Sequence, residues 1–326
     1  MLQEQTQDGY PIFVPFSFHG YTLIKYLGCG STSVVTLVEN EKTGQRFSAK
    51  VISKKDIENR HMMKSIQMEI SILQTIDHPN IIKIYDTFEI SDENQNQYIV
   101  MILEYCKNGD LLTYAIDNGF SSENQKKKII MGFLDAIRYL HNRGISHGDI
   151  KTENILLGTN LTAKLCDFGY CRTSTVAGND AKNGTLYYAA PELFKKGQFD
   201  TLKTDIWAIG VTLYAISELQ FPFKDGDQNY IIKQIVSGNL SIRPEVDQKL
   251  RTIVESCTQM NPQNRPTIDD LIKHDYFYIE DETFENKNNF YVPTKMEDFS
   301  QITKLNDFNN EDQLYEEIPF EPTFEL

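Results

Sequence analysis

The sequence predicts an α+β protein, either one segregated arrangement or two lobes, on three observations. From Tyr21 to about Leu103 it reads as short strands, and after residue 107 it is mostly helical; strands first and helices later is the pattern of that class. Its 326 residues suggest about two lobes of roughly 150 residues each. With 40% hydrophobic and 24% charged residues the composition is ordinary globular. That supplies a sizeable core and excludes a largely disordered, collagen-like or disulfide-stapled chain.

The elements follow in order. Residues 1–20 hold two prolines and several aromatics without clear periodicity and read as an irregular leader. The runs YTLIKYLG, STSVVTLVEN, RFSAKVIS, IIKIYDTFEI and QYIVMILEYC are β-branched and aromatic, hence strands. Turn-like breaks separate them, such as EKTGQ at 41–45 and SDENQNQ at 91–97. One helix interrupts, from about Met62 to Ile76, where Ile66, Ile70 and Leu73 form an apolar stripe. Helices then dominate, as in QKKKIIMGFLDAIRYLHNRG and TDIWAIGVTLYAISEL. The longest apolar stretch, Ile206 to Ile216, is too short to span a bilayer and suits a buried helix.

The segment from Asp281 to Leu326 differs. Twelve acidic residues against three lysines give it −9 of the total −14, yet it carries eight aromatics, among them Phe284, Tyr291 and Phe308. Two readings stand, a mobile tail and a segment that docks on a lobe, since solvated spacers rarely hold so many aromatics.

The net negative charge argues against non-specific binding to nucleic acid or anionic membrane and allows attraction of basic partners. Five scattered cysteines (Cys29, Cys106, Cys166, Cys171 and Cys257) include no CxxC pair, which speaks against a disulfide framework or zinc site and for a reducing compartment. The start, MLQEQTQDGY, is unlike a signal peptide. Cytoplasmic residence is the default expectation, with nuclear entry left open.

Candidate chemistry begins at Gly28-Cys29-Gly30-Ser31-Thr32-Ser33-Val34-Val35, between two strands. Glycines let a backbone approach a phosphate closely. The strand–loop–strand context excludes a dinucleotide fingerprint, which needs a helix next. Lys50 follows in the strand RFSAKVIS, and Glu69 lies beside the stripe of the next helix, where a carboxylate needs a partner; Lys50 is the natural candidate. Next comes His147-Gly148-Asp149-Ile150-Lys151-Thr152-Glu153-Asn154, followed after a short hairpin by Cys166-Asp167-Phe168-Gly169. Two aspartates and an asparagine can supply one base and two oxygen ligands for Mg²⁺, a hard cation. Gly184-Thr185, Ala190-Pro191-Glu192, Asp205-Ile206-Trp207 and Arg265 complete the series.

In this order, over about residues 21–278, these segments resemble the eukaryotic protein kinase catalytic domain. The resemblance implies the bilobal kinase fold, with a small, mainly antiparallel β lobe carrying one key helix and a larger, mainly helical lobe. It divides the chain into a leader (1–20), N-lobe (21–103), hinge and C-lobe (104–278) and acidic aromatic tail (279–326). It implies an ATP- and Mg²⁺-dependent protein serine/threonine kinase. Asp149 would accept the substrate hydroxyl's proton and Lys151 would neutralise the transferred phosphoryl group. Lys50, paired with Glu69, would hold phosphates. Asn154 and Asp167 would hold the metal. Leu27, Gly28, Gly30, Ser33, Val35, Ala49, Leu103, Glu104, Cys106, Asp110 and Leu156 would line the nucleotide site, with Leu103 as gatekeeper. Glu192 and Arg265 would form a buried ion pair, Leu73, His147 and Phe168 would belong to an apolar spine, and Thr185 would bond Asp149 or Lys151.

Lys151 and Thr185 point to the serine/threonine type. The ending NPQNRPTIDDLIKHDYF resembles the calcium/calmodulin-dependent kinase group and relatives, although the acidic tail argues against calmodulin control. Asp110 and Glu153 stand where basophilic relatives bind an arginine three residues before the target; Lys233 stands where some add a third acid. Two departures matter. Ser33 occupies the third glycine place, and Gly148 the place of the arginine that grips a phosphorylated activation segment. The segment is therefore expected to be held by packing rather than by phosphate. Cys29, Cys106 and Cys166 are expected to edge the nucleotide pocket, as small apolar fillers in function, with any exposed thiol among them reacting with a targeted electrophile. A pseudokinase scaffold and a small-molecule kinase are the competing readings. The intact Lys50, Glu69, Asp149, Asn154 and Asp167 oppose the first, and the AAPE, DIW and NRPT segments the second.

Overall fold

The structure, a computed structural model, describes residues 2–5, 11–30, 33–173, 175–177, 186–195, 197–224 and 226–278. The tail lies outside these residues, as do Thr185, Ser174 and Lys182.

The leader is not irregular. Strands β1 (Leu2–Gln5) and β2 (Pro11–Val14) form an antiparallel hairpin. A two-residue strand β3 (Ser17–Phe18) then joins the main sheet. Ile12, Val14 and Phe18 are buried with Tyr21, Val34, Val38, Phe47, Val51, Val100 and Ile102. Ile12 and Val14, two residues apart, share one face of their strand, a signal too short to register against the neighbouring prolines. Burying Ile12 and Val14 contributes at most about 3–6 kcal/mol together.

The main sheet continues through β4 (Tyr21–Cys29), β5 (Ser33–Asn40) and β6 (Arg46–Ser53). Two helices follow, α1 (Lys54–Asn59) and α2 (Met63–Thr75), then β7 (Ile84–Ser91) and β8 (Gln97–Glu104). The strand order is β3-β4-β5-β6-β8-β7, and all neighbouring pairs are antiparallel. Helix α1 was not foreseen; Ser53 caps it by accepting from the Asp56 amide. On α2, Ile66, Met68, Glu69, Ile72 and Leu73 are buried, so the apolar stripe carries one carboxylate inward.

Past the link at 105–110 come α3 (Leu111–Asn118) and α4 (Glu123–His141). Asp110 caps the first, which ends at Gly119 with φ +65°, a left-handed backbone that favours glycine. Short strands β9 (Ile145–Ser146), β10 (Ile155–Leu157), β11 (Ala163–Leu165), β12 (Arg172–Thr173), β13 (Thr175–Ala177) and β14 (Gln198–Asp200) pair as β9–β12, β10–β11 and β13–β14. Helix α5 (Thr201–Glu218) is buried on nearly every face, as its apolar run requires. Helices α6 (Gln228–Ser237), α7 (Gln248–Cys257) and α8 (Ile268–Ile272) complete the second lobe. The principal core runs from α2 through Met101 and Leu103 to α4, α5 and α7, so one apolar body joins the lobes. Among the described residues no helix is long and apolar enough to cross a membrane.

Candidate active site

The site lies where the strand lobe meets the hairpin β10–β11. Its roof is the turn between β4 and β5, where Cys29 pairs with Val34 and the Gly30 amide donates to the Ser33 carbonyl at 2.8 Å. A Cβ on Gly30 would lie 3.0 Å from the Ser33 hydroxyl, so the turn stays tight with serine in the third glycine place. Val35 and Ala49 follow on β5 and β6, with Ala49 buried. Leu27 stands exposed at the lip, beside Gly28 at a register shift of β4.

Lys50 pairs in register with Val35 and Met101. Its Nζ donates to both carboxylate oxygens of Glu69, at 2.7 and 2.8 Å. Burial alone would lower the lysine's pKa, but the Glu69 and Asp167 carboxylates outweigh it and hold the ammonium above its ordinary range. One turn before Glu69 on the same helix face, Ser65 donates to the Gly169 carbonyl at 2.6 Å, tying α2 to the Asp-Phe-Gly turn.

The floor is the loop after β9. Asp149 is buried; Lys151 donates to its Oδ2 at 2.8 Å, and Asn154 donates to its carbonyl and to Oδ2 at 2.8 and 3.0 Å. Burial would lower the Lys151 pKa, and Asp149 more than offsets it, giving a net rise. Both contacts of Asn154 use its amide nitrogen, which leaves the amide oxygen for another partner. Asp167 follows β11 with φ +64°. One amide oxygen and one carboxylate are hard donors suited to Mg²⁺, which takes few protein ligands and completes its shell with phosphates and water. Among the described residues no group of three His, Cys, Asp or Glu could hold a metal alone. The residues present thus fit a metal that arrives with a nucleotide.

The loop is fixed from below by α5. Asp205 accepts from the backbone amides of His147 (2.7 Å) and Gly148 (3.0 Å) and contacts His141 Nε2 at 2.9 Å. His147 is buried edge-on to Phe168, and both ring nitrogens are committed, to the Cys166 carbonyl and the Asp149 amide, so it is packing rather than acid–base chemistry. Gly148 has φ +79°, and a Cβ there would lie 2.4 Å from the Tyr170 carbonyl oxygen. Arg265 forks onto Glu192, with Nη2 to Oε2 at 2.7 Å, over the Trp207 ring.

At the back edge, Leu103 pairs with Ser48 and Ile84 and is buried. Glu104 is bridged at 2.8 Å by Lys164 of β11, a contact across the link between the lobes that the sequence did not announce. Leu156, half-buried, sits on β10 and makes a bridge with Asp110. Asp110 spends Oδ1 on the Thr113 amide. Burial pushes the Cys106 thiol up to about 12 and the Cys166 thiol well above its ordinary value, which opposes ready reaction at these two. Half-buried Cys29 is the remaining candidate. Thr185 lies outside the described residues.

Sequence reasoning missed Ser65, Thr152 and Tyr188. Ser65 is four residues from Glu69, a spacing that could have found it. Thr152 and Tyr188 meet across 36 positions, and no local signal links them.

The sequence also matches known proteins. The family described as "Protein kinase domain" matches residues 21–277. Serine/threonine-protein kinase kin-29 of Caenorhabditis elegans is 30% identical over 270 residues, 82% of this chain and 32% of that protein. Serine/threonine-protein kinase cds1 of Schizosaccharomyces pombe is 30% identical, over 79% of this chain and 58% of its own length. The carbon catabolite-derepressing protein kinase of Saccharomyces cerevisiae is 32% identical, over 80% and 40%. The chain therefore spans between a third and three fifths of the length of these relatives.

Proposed function

The chain belongs to the protein kinase family, and on that premise we propose that it is an ATP-dependent serine/threonine kinase acting on protein substrates with a basic residue near the target. The observation that carries the activity is the assembled catalytic set. Lys50 is locked to Glu69 at 2.7 Å while Asp149 is held by both Lys151 and Asn154. Phosphoryl transfer asks the protein mainly for positioning and charge stabilisation, which this set supplies. In this reading Asp149 orients the substrate hydroxyl and takes its proton, and Lys151 offsets charge on the phosphoryl oxygens. Lys50 holds phosphates, and Asn154 and Asp167 hold Mg²⁺, which neutralises charge on the nucleotide when bound. Leu27, Val35, Ala49, Leu103, Leu156 and the backbone at Glu104 and Cys106 enclose the base.

The basic preference rests on Glu153, exposed within the catalytic loop, and on the remaining oxygen of Asp110. The test is transfer of labelled phosphate from ATP to a serine peptide array. Selection of arginine or lysine three residues before the target is the expected result. Acidic or proline-directed selection would overturn the specificity, and nucleotide binding without any transfer would favour a scaffold.

A further inference from the structure

Three hydroxyl and carboxylate groups meet beside the catalytic aspartate without serving the transfer itself. Thr152 is fully buried between Lys151 and Glu153. Its hydroxyl donates to Glu153 Oε2 at 2.8 Å and lies 2.9 Å from the Tyr188 hydroxyl. Tyr188 also reaches the same carboxylate oxygen, at 3.3 Å. Two hydroxyl hydrogens serve this set: the Thr152 proton goes to Glu153, and the Tyr188 proton goes to Thr152 or to Glu153. Either way the chain of donors ends on Oε2. Burial, reinforced by the Glu153 carboxylate, pushes the Tyr188 phenol up, so it remains a donor throughout the physiological range.

Tyr188 is itself immobilised. Its ring meets Phe221 edge-on at 5.3 Å, and Tyr187 stacks on the same Phe221 ring at 4.5 Å. An exposed glutamate ordinarily loses rotamer freedom when it captures a cation, which weakens exposed ion pairs. Glu153 is exposed yet already held by two hydroxyls, one from a buried residue and one from a packed aromatic ring. Its side chain is thus pre-organised before any partner arrives.

We propose that Thr152 and Tyr188 are positioning residues that fix the Glu153 carboxylate for a cationic side chain of the peptide substrate. The proposal rests on the basophilic reading given above. It makes selectivity depend on a contact between the catalytic loop and the segment after residue 185, two regions that must already be in register for the contact to exist.

The experiment compares two serine peptides that differ only three residues before the target, arginine against alanine. The readout is the ratio of their kcat/KM values, in which a general loss of activity cancels. Glu153→Gln should collapse the ratio, and Thr152→Val and Tyr188→Phe should each lower it about fivefold or more, whereas Thr152→Ser should restore it. Tyr188→Phe keeps the ring on Phe221, so it carries the test even if Thr152→Val folds poorly. A ratio that collapses in Glu153→Gln but survives in Thr152→Val and Tyr188→Phe overturns the inference and leaves the basophilic reading standing. No arginine preference in the unmodified protein overturns both, whereas a preference that survives Glu153→Gln overturns the inference and leaves the basophilic reading standing.

Discussion

The two sides of the candidate site, proposed to take nucleotide and peptide, are built on different principles. On the nucleotide side the decisive contacts join residues that the motifs already spell: Lys50 with Glu69, and Asp149 with Lys151 and Asn154. On the peptide side, Gly148 sits where an added Cβ would clash with the Tyr170 carbonyl, and Thr152 meets Tyr188, a pair that no single motif joins. The first side is constrained by one reaction, whose charges must always be met in the same places. The second is constrained by whatever partner and control the chain answers to, and so it varies. The chemistry should therefore fail sharply when its residues change, whereas the peptide side should fail by degrees.

The sharpest break is expected on the nucleotide side. Asp149→Asn removes the proposed proton acceptor and Lys50→Met the proposed phosphate clamp, and each should lower kcat by about 10²–10³-fold. Because Lys50 is itself held by Glu69, its loss also leaves a buried carboxylate without its cation, so Lys50→Met should lower Tm as well. Steady-state kinetics and a thermal melt check both. Near-full activity in Asp149→Asn would show that the two sides do not differ in the way described.

Legibility in the sequence followed the same division. The strands from β4 to β8 and the helices α2, α4 and α5 carry periodicities long enough to read, and the site residues between Gly28 and Asp167 sit in named motifs. The hairpin β1–β2 escaped because its strands are only four residues long; in β2 the pattern reduces to Ile12 and Val14, amid prolines. Helix α1 escaped because its six residues expose a polar face that looks like a turn. The pair β13–β14 joins residues 175–177 to 198–200 through backbone bonds that no side-chain pattern records. Ser65 and Gly169 are separated by 104 positions, so their contact is set by how the elements pack and not by local sequence.

Two smaller effects belong to the peptide side and to its coupling with α2. Gly148→Arg places a side chain on a left-handed backbone and a Cβ against the Tyr170 carbonyl, so it should cost about 2 kcal/mol of stability, measured by denaturant titration. An equally stable variant would show that the loop can retreat from Tyr170. Ser65→Ala removes one hydrogen bond from α2 to the Asp-Phe-Gly turn and should cost about 1 kcal/mol, expressed as a higher KM for ATP because Glu69 is then less firmly presented to Lys50. An unchanged KM would assign the position of α2 to its apolar stripe alone.

The smallest effect concerns the segment that most kinases control by phosphate. Gly148 has no side chain with which to grip a phosphate, and the described part of the segment is already tied by backbone. Arg172 and Thr173 pair with Ser146 and Ile145, and 175–177 pair with 198–200. The Thr201 hydroxyl adds a bond to the Thr173 carbonyl at 3.3 Å, a contact that needs no particular side chain at 173. Ladder bonds of this kind survive loss of a neighbouring hydroxyl or phosphate. Phosphatase treatment, or joint replacement of Thr173, Ser174 and Thr175 by alanine, should therefore change kcat/KM by less than about tenfold, equivalent to about 1.4 kcal/mol of transition-state stabilisation. Thr185 is excluded from this set because its loss is expected to impair turnover directly. A larger fall in either experiment would mean that phosphate finds a cationic partner other than the missing arginine. Control on the peptide side would then be electrostatic, as it is in kinases that keep that residue.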